Sequence, residues 1–211
     1  MLEDPQTCAR LVLLRHPQVA EPYRALALGQ RDAELSRRGR EQTLTVLQSL
    51  EGQGLDRLYC APSRHCRETA EALGEGLGLP AEQVEALHDP ALGDWEGKSW
   101  QELQSSDQAL LREFFKDYGL VAPQGGETLA DAVDRALAWW GEGVDALYQK
   151  SILLVAGAPL ISGLASRLLG MPIRRAAAMA LPPAAYGVLD VYQDGAVLRS
   201  WHPLALHDEM P

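Results

Sequence analysis

Arg10-Leu11-Val12-Leu13-Leu14-Arg15-His16-Pro17 is an apolar run that ends in two basic side chains and a proline. No polar residue alternates through it, so the run reads as a strand covered on both faces, as in a parallel sheet. Pro17 has no N–H to offer a ladder and stops the strand. Arg15 and His16 are therefore predicted at the carboxyl edge of a buried sheet, where open α/β sheets bind their ligands. A guanidinium offers planar paired donors to a phosphoryl group, and an imidazole beside it can be nucleophile or acid–base. Taken alone, the pair fits an ordinary surface Arg-His at a strand end equally well.

The flanking sequence adds to the case. Pro17 to Leu35 is irregular and reads as a long loop over the end of the first strand, with Gln30, Arg31 and Asp32 late in it. Ser36 suits an N-cap, and Gly39 to Leu50 a helix with Leu44, Leu47 and Leu50 inward. Leu58-Tyr59-Cys60-Ala61 is a second short strand, and Pro62 suits the start of the helix that follows. Cys66, Ala70, Leu73 and Leu77 recur at helical spacing, which makes Cys66 a packing residue. Arg64, His65 and Arg67 fall in the first turn, at the positive end of the helix dipole. Val84 to His88 reads as a short strand, and Trp100 to Phe115 as two short helices. Glu127 to Tyr148 reads as the longest helix, Ser151 to Ala156 as a third buried strand, and Pro159 to Leu169 as a further helix. Tyr186 to Tyr192 and Ala196 to Trp201 flank Asp194-Gly195, a hairpin signal. Strands alternating with helices predict an α/β fold: a three-layer α/β/α sandwich, its central sheet mostly parallel with an antiparallel edge.

Composition bounds the function. The 211 residues are 46% hydrophobic, which suits one domain over 1–211. No run approaches the ~18 apolar residues of a membrane span, and Met1 to Arg10 make no signal peptide. Cys8, Cys60 and Cys66 lack metal-ligand spacing and read as reduced thiols of a cytoplasmic protein. A net charge of −10 argues against nucleic acid or anionic lipid as partner, but not against a small phosphorylated ligand held by a local basic cluster.

The order of these pieces resembles the histidine phosphatase superfamily, also called phosphoglycerate mutase-like. Leu14-Arg15-His16 resembles its nucleophile motif, which is normally followed by glycine. Gly29-Gln30-Arg31-Asp32 and Leu35-Ser36-Arg37-Arg38-Gly39 resemble its substrate loop and first helix start. Ala61-Pro62-Ser63-Arg64-His65-Cys66-Arg67-Glu68-Thr69-Ala70 is similar to its second motif. His88-Asp89 through Gly93-Asp94-Trp95-Glu96-Gly97 is similar to the acid-bearing segment, and Gly125-Gly126-Glu127-Thr128 with Arg135 to a later one. Within the family, Arg-His-Pro, Trp100 and Gly-Gly-Glu-Thr look most like α-ribazole phosphate phosphatases. The resemblance implies a phosphomonoesterase that needs no metal or cofactor. His16 would attack phosphorus and form a phosphohistidine. Arg15, Gln30, Arg64 and His65 would contact the phosphoryl group or substrate, and Asp89 would be the acid.

Three positions depart from the pattern. Asp89 stands where the family has Glu, and His65 where it has Arg. Val155-Ala156-Gly157-Ala158-Pro159 stands where the family has Val-Ser-His-Gly-Gly, so Gly157 replaces the second histidine at the phosphate seat. Losing one such donor typically raises a barrier by ~2.7–4 kcal/mol. Two readings stay open. One is a slow or degenerate phosphomonoesterase in which His65, as imidazolium, takes over donor work. The other is a catalytically inactive relative, a pseudoenzyme, that binds a phosphorylated ligand. On the sequence, Gly157→His is expected to restore the donor and raise the rate roughly a hundredfold.

Overall fold

The computed structural model describes residues 8–202. The reading of the first residues, 1–7, lies outside them, as do the last residues, 203–211, of the expected single domain. The opening run forms β1 (Ala9–Arg15), with Leu11 to Leu14 fully buried. It lies inside a six-stranded sheet with β2 (Arg57–Cys60), β3 (Ala81–Gln83), β4 (Lys150–Ala156), β5 (Tyr186–Tyr192) and β6 (Gly195–His202), in the order β3-β2-β4-β1-β5-β6. Strands β1 to β4 run parallel, and the β5–β6 hairpin lies antiparallel beside β1. The apolar runs of β1 and β4 thus occupy adjacent inner positions, the only place such runs find cover on both faces.

Helices complete a three-layer α/β/α sandwich. They are α1 (Glu21–Arg24), α2 (Arg37–Leu50), α3 (Arg64–Leu77), α4 (Trp100–Ser106), α5 (Gln108–Lys116), α6 (Leu129–Leu147) and α7 (Ala158–Leu168). Helix α2 packs on α3, and α6 on α7. The starts of α2, α4 and α6 are set by cap side chains that satisfy orphan N–H groups. Ser36 Oγ accepts from Gly39 N at 2.9 Å, Ser99 and Glu102 form a reciprocal capping box, and Thr128 Oγ1 accepts from Asp131 N at 3.1 Å. No helix among the described residues is long and apolar enough to cross a membrane.

Several details differ from the sequence reading. Val84–His88 is not a strand. The third parallel strand is β3, and Glu85–Leu87 is a 3₁₀ turn. The cause is the shortness of β2, whose backbone offers its last pairing at Cys60 O to Val84 N, at 3.0 Å. Beyond that point the chain has no partner strand and curls on itself. Leu44 is 61% exposed, because the buried stripe of α2 is Gly39, Gln42, Thr43, Val46 and Leu50, which the polar residues disguise. The long helix is trimmed to α6 by its Thr128 cap, and the loop after Pro17 carries α1 and pairs with itself at Val19 and Leu35.

Gly39 is needed at a close approach. A Cβ there would overlap the Gln18 carbonyl, which already accepts from Ser36 N at 2.9 Å. Gly39→Ala should gain about 1 kcal/mol of helix propensity yet lose more, about 1–3 kcal/mol, by forcing backbone apart. A thermal melt is expected to show a net drop of a few degrees. An unchanged or raised melting temperature would mean that the Gln18 strand end yields freely.

Candidate active site

The β1–β4 pairing sets Arg15 opposite Ala156, so His16 and Gly157 leave the sheet side by side. The ladder continues one step further, as His16 N donates to Ala156 O at 3.1 Å. His65 arrives in the first turn of α3, directly after β2, and Asp89 just after the 3₁₀ turn. Arg15, His16, His65 and Asp89 line one cavity of about 490 Å³, together with Ala158 and Pro159 from the start of α7.

The His16 ring is fixed in one tautomer. Its Nδ1 lies 2.7 Å from the Pro17 carbonyl. A carbonyl only accepts, so Nδ1 carries the proton and Nε2 keeps its lone pair. Burial, with the nearby His65 and the charge of Arg15, holds the His16 pKa well below the ordinary value. The ring is therefore neutral at pH 7. His65 stacks against it with centroids 4.2 Å apart and planes tilted by 59°.

His65 is neutral as well. Burial pushes its pKa down to about 4, against a smaller favourable contribution from the Ala33 backbone. Its Nε2 is 3.2 Å from Ser63 Oγ, while its Nδ1 meets no partner at hydrogen-bonding geometry. The expectation of a His65 imidazolium is thus corrected: Asp32 and Glu68 pull toward the charged ring, but less than burial pushes against it.

Arg15 donates from Nη1 to Leu181 O at 2.6 Å, while its Nε is buried without a partner. Burial lowers the Arg15 pKa, but a guanidinium stays charged. Arg64, expected at the phosphate, is turned outward instead. It pairs with Glu68 at 2.6 Å and Glu34 at 3.3 Å and does not line the cavity. Two carboxylates on the loop and on its own helix hold it there. Gln30 does not line the cavity either. Its Nε2 donates to the Asp89 main-chain carbonyl at 3.0 Å, so it steadies the acid-bearing segment. Arg135 acts on the same segment, donating to Ala86 O at 2.6 Å and His88 O at 3.2 Å while paired with Glu127 at 2.8 Å.

Asp89 and Gly157 explain each other. A Cβ built on Gly157 would overlap the Asp89 carboxyl group. Gly157 has φ −80° and ψ 167°, a conformation open to any residue, so glycine is required for space alone. The carboxylate reaches through that space to accept from Leu160 N, in the first turn of α7, at 3.2 Å. The acid therefore fills the space that any side chain at position 157 would enter, so Gly157→His, expected above to raise the rate, would have to displace Asp89. Burial raises the Asp89 pKa to about 6, against the lowering pull of Leu160 N–H, Arg15 and Arg135.

Sequence reasoning missed Tyr118. It lines the cavity within electrostatic reach of Asp89 and Arg15, and burial lifts its hydroxyl to about 12, so it stays protonated. No motif marks it; it follows α5, outside the elements read from the sequence.

Comparison with known proteins agrees with this fold. The family model described as the histidine phosphatase superfamily (branch 1) matches residues 11–203. A glucosyl-3-phosphoglycerate phosphatase of Mycolicibacterium vanbaalenii is 32% identical over 175 residues, 78% of this chain and 76% of that one. An adenosylcobalamin/α-ribazole phosphatase of Escherichia coli is 26% identical over 193 residues, covering 90% of this chain and 94% of that one. The solved structure of a mycobacterial glucosyl-3-phosphoglycerate phosphatase superposes with a TM-score of 0.82 at 26% identity, covering 92% of this chain and 98% of that one.

The Asp89–Gly157 contact predicts coupled substitutions. Gly157→Ala should swing the carboxylate off α7 rather than unfold the chain, because the clash is with the tip of a side chain. Any activity should fall far more than the melting temperature. In an Asp89→Ala background the same change should be nearly silent, a coupling of about 0.5–3 kcal/mol in a double-mutant cycle. Additive effects would mean that the two positions do not share this space.

Proposed function

The chain belongs to the histidine phosphatase superfamily, and from that premise we propose that it is a metal-independent phosphomonoesterase working through a phosphohistidine on His16. The observation that carries this reading is the 2.7 Å contact of His16 Nδ1 with the Pro17 carbonyl. It leaves a neutral imidazole with its Nε2 lone pair available for attack, held rigid at the mouth of a buried sheet. Arg15 supplies a fixed cation and a buried, unpartnered Nε–H for the phosphoryl oxygens. Nε2 bonds to phosphorus as the bond from phosphorus to the ester oxygen breaks, and protonated Asp89 gives its proton to that oxygen. Asp89, now a carboxylate, takes a proton from water as the water oxygen attacks the phosphohistidine, releasing phosphate and restoring both groups. The named relatives, phosphatases acting on small phosphorylated molecules, support this reaction class.

One observation favours a second reading, a catalytically inactive protein that binds a phosphorylated ligand. The start of α7, a natural anion seat, already holds the Asp89 carboxylate. With Asp89 ionised and both histidines neutral, the formal charges of Arg15 and Asp89 cancel at the seat. Protonation of Asp89 leaves Arg15 uncompensated, so the two readings separate by pH.

The sign of the pH dependence follows. Asp89 must be protonated to act as acid, and its pKa is raised to about 6, so the first step is at full strength below that value and is lost above it. His16 must be neutral, and its pKa lies well below 6.5, so the acidic limb falls far under neutrality. On an aryl phosphate, kcat/KM should peak in mildly acid solution and drop at least about tenfold per pH unit above about 6. Asp89→Asn should cut it by about 10²–10⁴ and make the basic limb shallower. His16→Ala should abolish both turnover and the acid-labile phosphoenzyme seen on rapid quenching. Phosphate binding near pH 5 with no phosphoenzyme trapped at any pH would establish the binding-protein reading instead.

A further inference from the structure

We propose that the alcohol half of the substrate is a bulky aromatic group rather than a sugar or a polyol. This rests on the phosphatase reading and concerns the part of the cavity beyond the phosphoryl seat. That part is walled by Leu26, Leu92, Trp100, Phe114, Phe115 and Tyr118. The aromatic members form a continuous surface. Trp100 and Phe115 have ring centroids 5.8 Å apart, Phe115 and Phe114 5.4 Å, and Phe114 and Tyr118 6.3 Å. Tyr118 ends the series beside Arg15 and Asp89, so a ring resting on the wall would carry its phosphoryl group toward His16.

Polar recognition is scarce along this surface. A sugar or polyol buried there would need a donor or acceptor for each hydroxyl. Glu127 is paired with Arg135. Gln18 Oε1 accepts from Arg24 Nη2 at 2.8 Å and from Ser36 Oγ at 3.0 Å. Arg24, the one lining cation besides Arg15 among the described residues, has two donors held, by Gln18 and from Nε by Val19 O at 3.1 Å, and keeps its charge; the Tyr23 and Tyr118 rings add the other polar tips to an otherwise apolar wall. The wall is built to last: Trp95, 2% exposed, supports Phe114 edge-on at 5.3 Å and anchors its own indole N–H on Asp107 at 2.8 Å. Phe115 is 57% exposed, with its ring spent neither on the core nor on a helix neighbour other than the wall itself. An exposed aromatic surface at a cavity mouth gains most from a ligand that stacks on it.

The test compares 2-phenylethyl phosphate with glycerol 3-phosphate, both primary alkyl monoesters, so that a difference in leaving-group acidity contributes little. At pH 5.5 kcat/KM should favour the phenyl ester by about 30- to 100-fold, equivalent to about 2–2.7 kcal/mol. Trp100→Ala and Phe115→Ala should each shrink that ratio several-fold, with the loss in KM, whereas Leu120→Ala, outside the cavity, should leave it alone. Hydrolysis of both esters at equal efficiency, or a preference for glycerol 3-phosphate, would overturn the substrate class and leave the phosphatase reading standing. If neither ester is hydrolysed, the phosphatase reading fails. Calorimetric binding of the two esters then decides the class: tighter binding of the phenyl ester by a similar ratio upholds the aromatic site, and equal or absent binding ends it.

Discussion

The pairing of β1 with β4 is the constraint from which the site follows. Both strands are apolar throughout their inner residues, so neither tolerates an edge position or a face in water. Their parallel register, with Leu14 opposite Val155 and Arg15 opposite Ala156, brings both strand ends to the same level. A slip of one residue would turn every side chain of β1 to the other face and carry His16 away from the start of α7. The sheet therefore fixes where the imidazole stands relative to Gly157, and the loops only decide what surrounds it. Pro17 serves this arrangement twice, ending the ladder and presenting the carbonyl that fixes the His16 tautomer.

Asp89 and Gly157 form a second, local constraint. The acid-bearing segment is tied down from three sides, by Gln30 on the Asp89 carbonyl, by Arg135 on Ala86 and His88, and by Leu160 N–H on the carboxylate. A side chain at position 157 would compete with this anchored group for the same volume. The space beside the helix start is thus filled by a carboxyl group, and the electrostatics of the seat are sensitive to one proton.

Much of this was legible in the sequence. The layered fold follows from the alternation of apolar runs with amphipathic stretches, and the hairpin edge from Asp194-Gly195. The meeting of Arg15, His16, His65 and Asp89 in one cavity follows from strand ends and helix starts, which sequence pattern marks well. What escaped it depends on distances between segments remote in the chain. Arg64 lies in the right turn, but Glu34 and Glu68 hold it outward. His65 lies in the right place, but burial outweighs the pull of Asp32 and Glu68 and keeps it neutral. Gly157 reads as a missing side chain until Asp89 is found in its space. Leu44 faces water because polar Gln42 and Thr43, which fill the buried stripe of α2, carry no apolar signal.

The sparse charge of the seat and the aromatic wall beside it belong together. A single guanidinium is weak in water, where two unit charges 4 Å apart interact by only about 1 kcal/mol, but worth about four times more at the effective dielectric of a partly buried site. An apolar alcohol that fills the cavity expels water and so strengthens Arg15, the cation beside His16. The same dryness penalises a phosphate dianion, whose second proton leaves near pH 6. The seat therefore suits the monoanionic ester, which carries a charge that Arg15 can match. That protonation state prevails in the same mildly acid range in which Asp89 holds its proton. Substrate charge, acid and cavity polarity thus point to one working condition, set by how little charge the fold has buried beside His16.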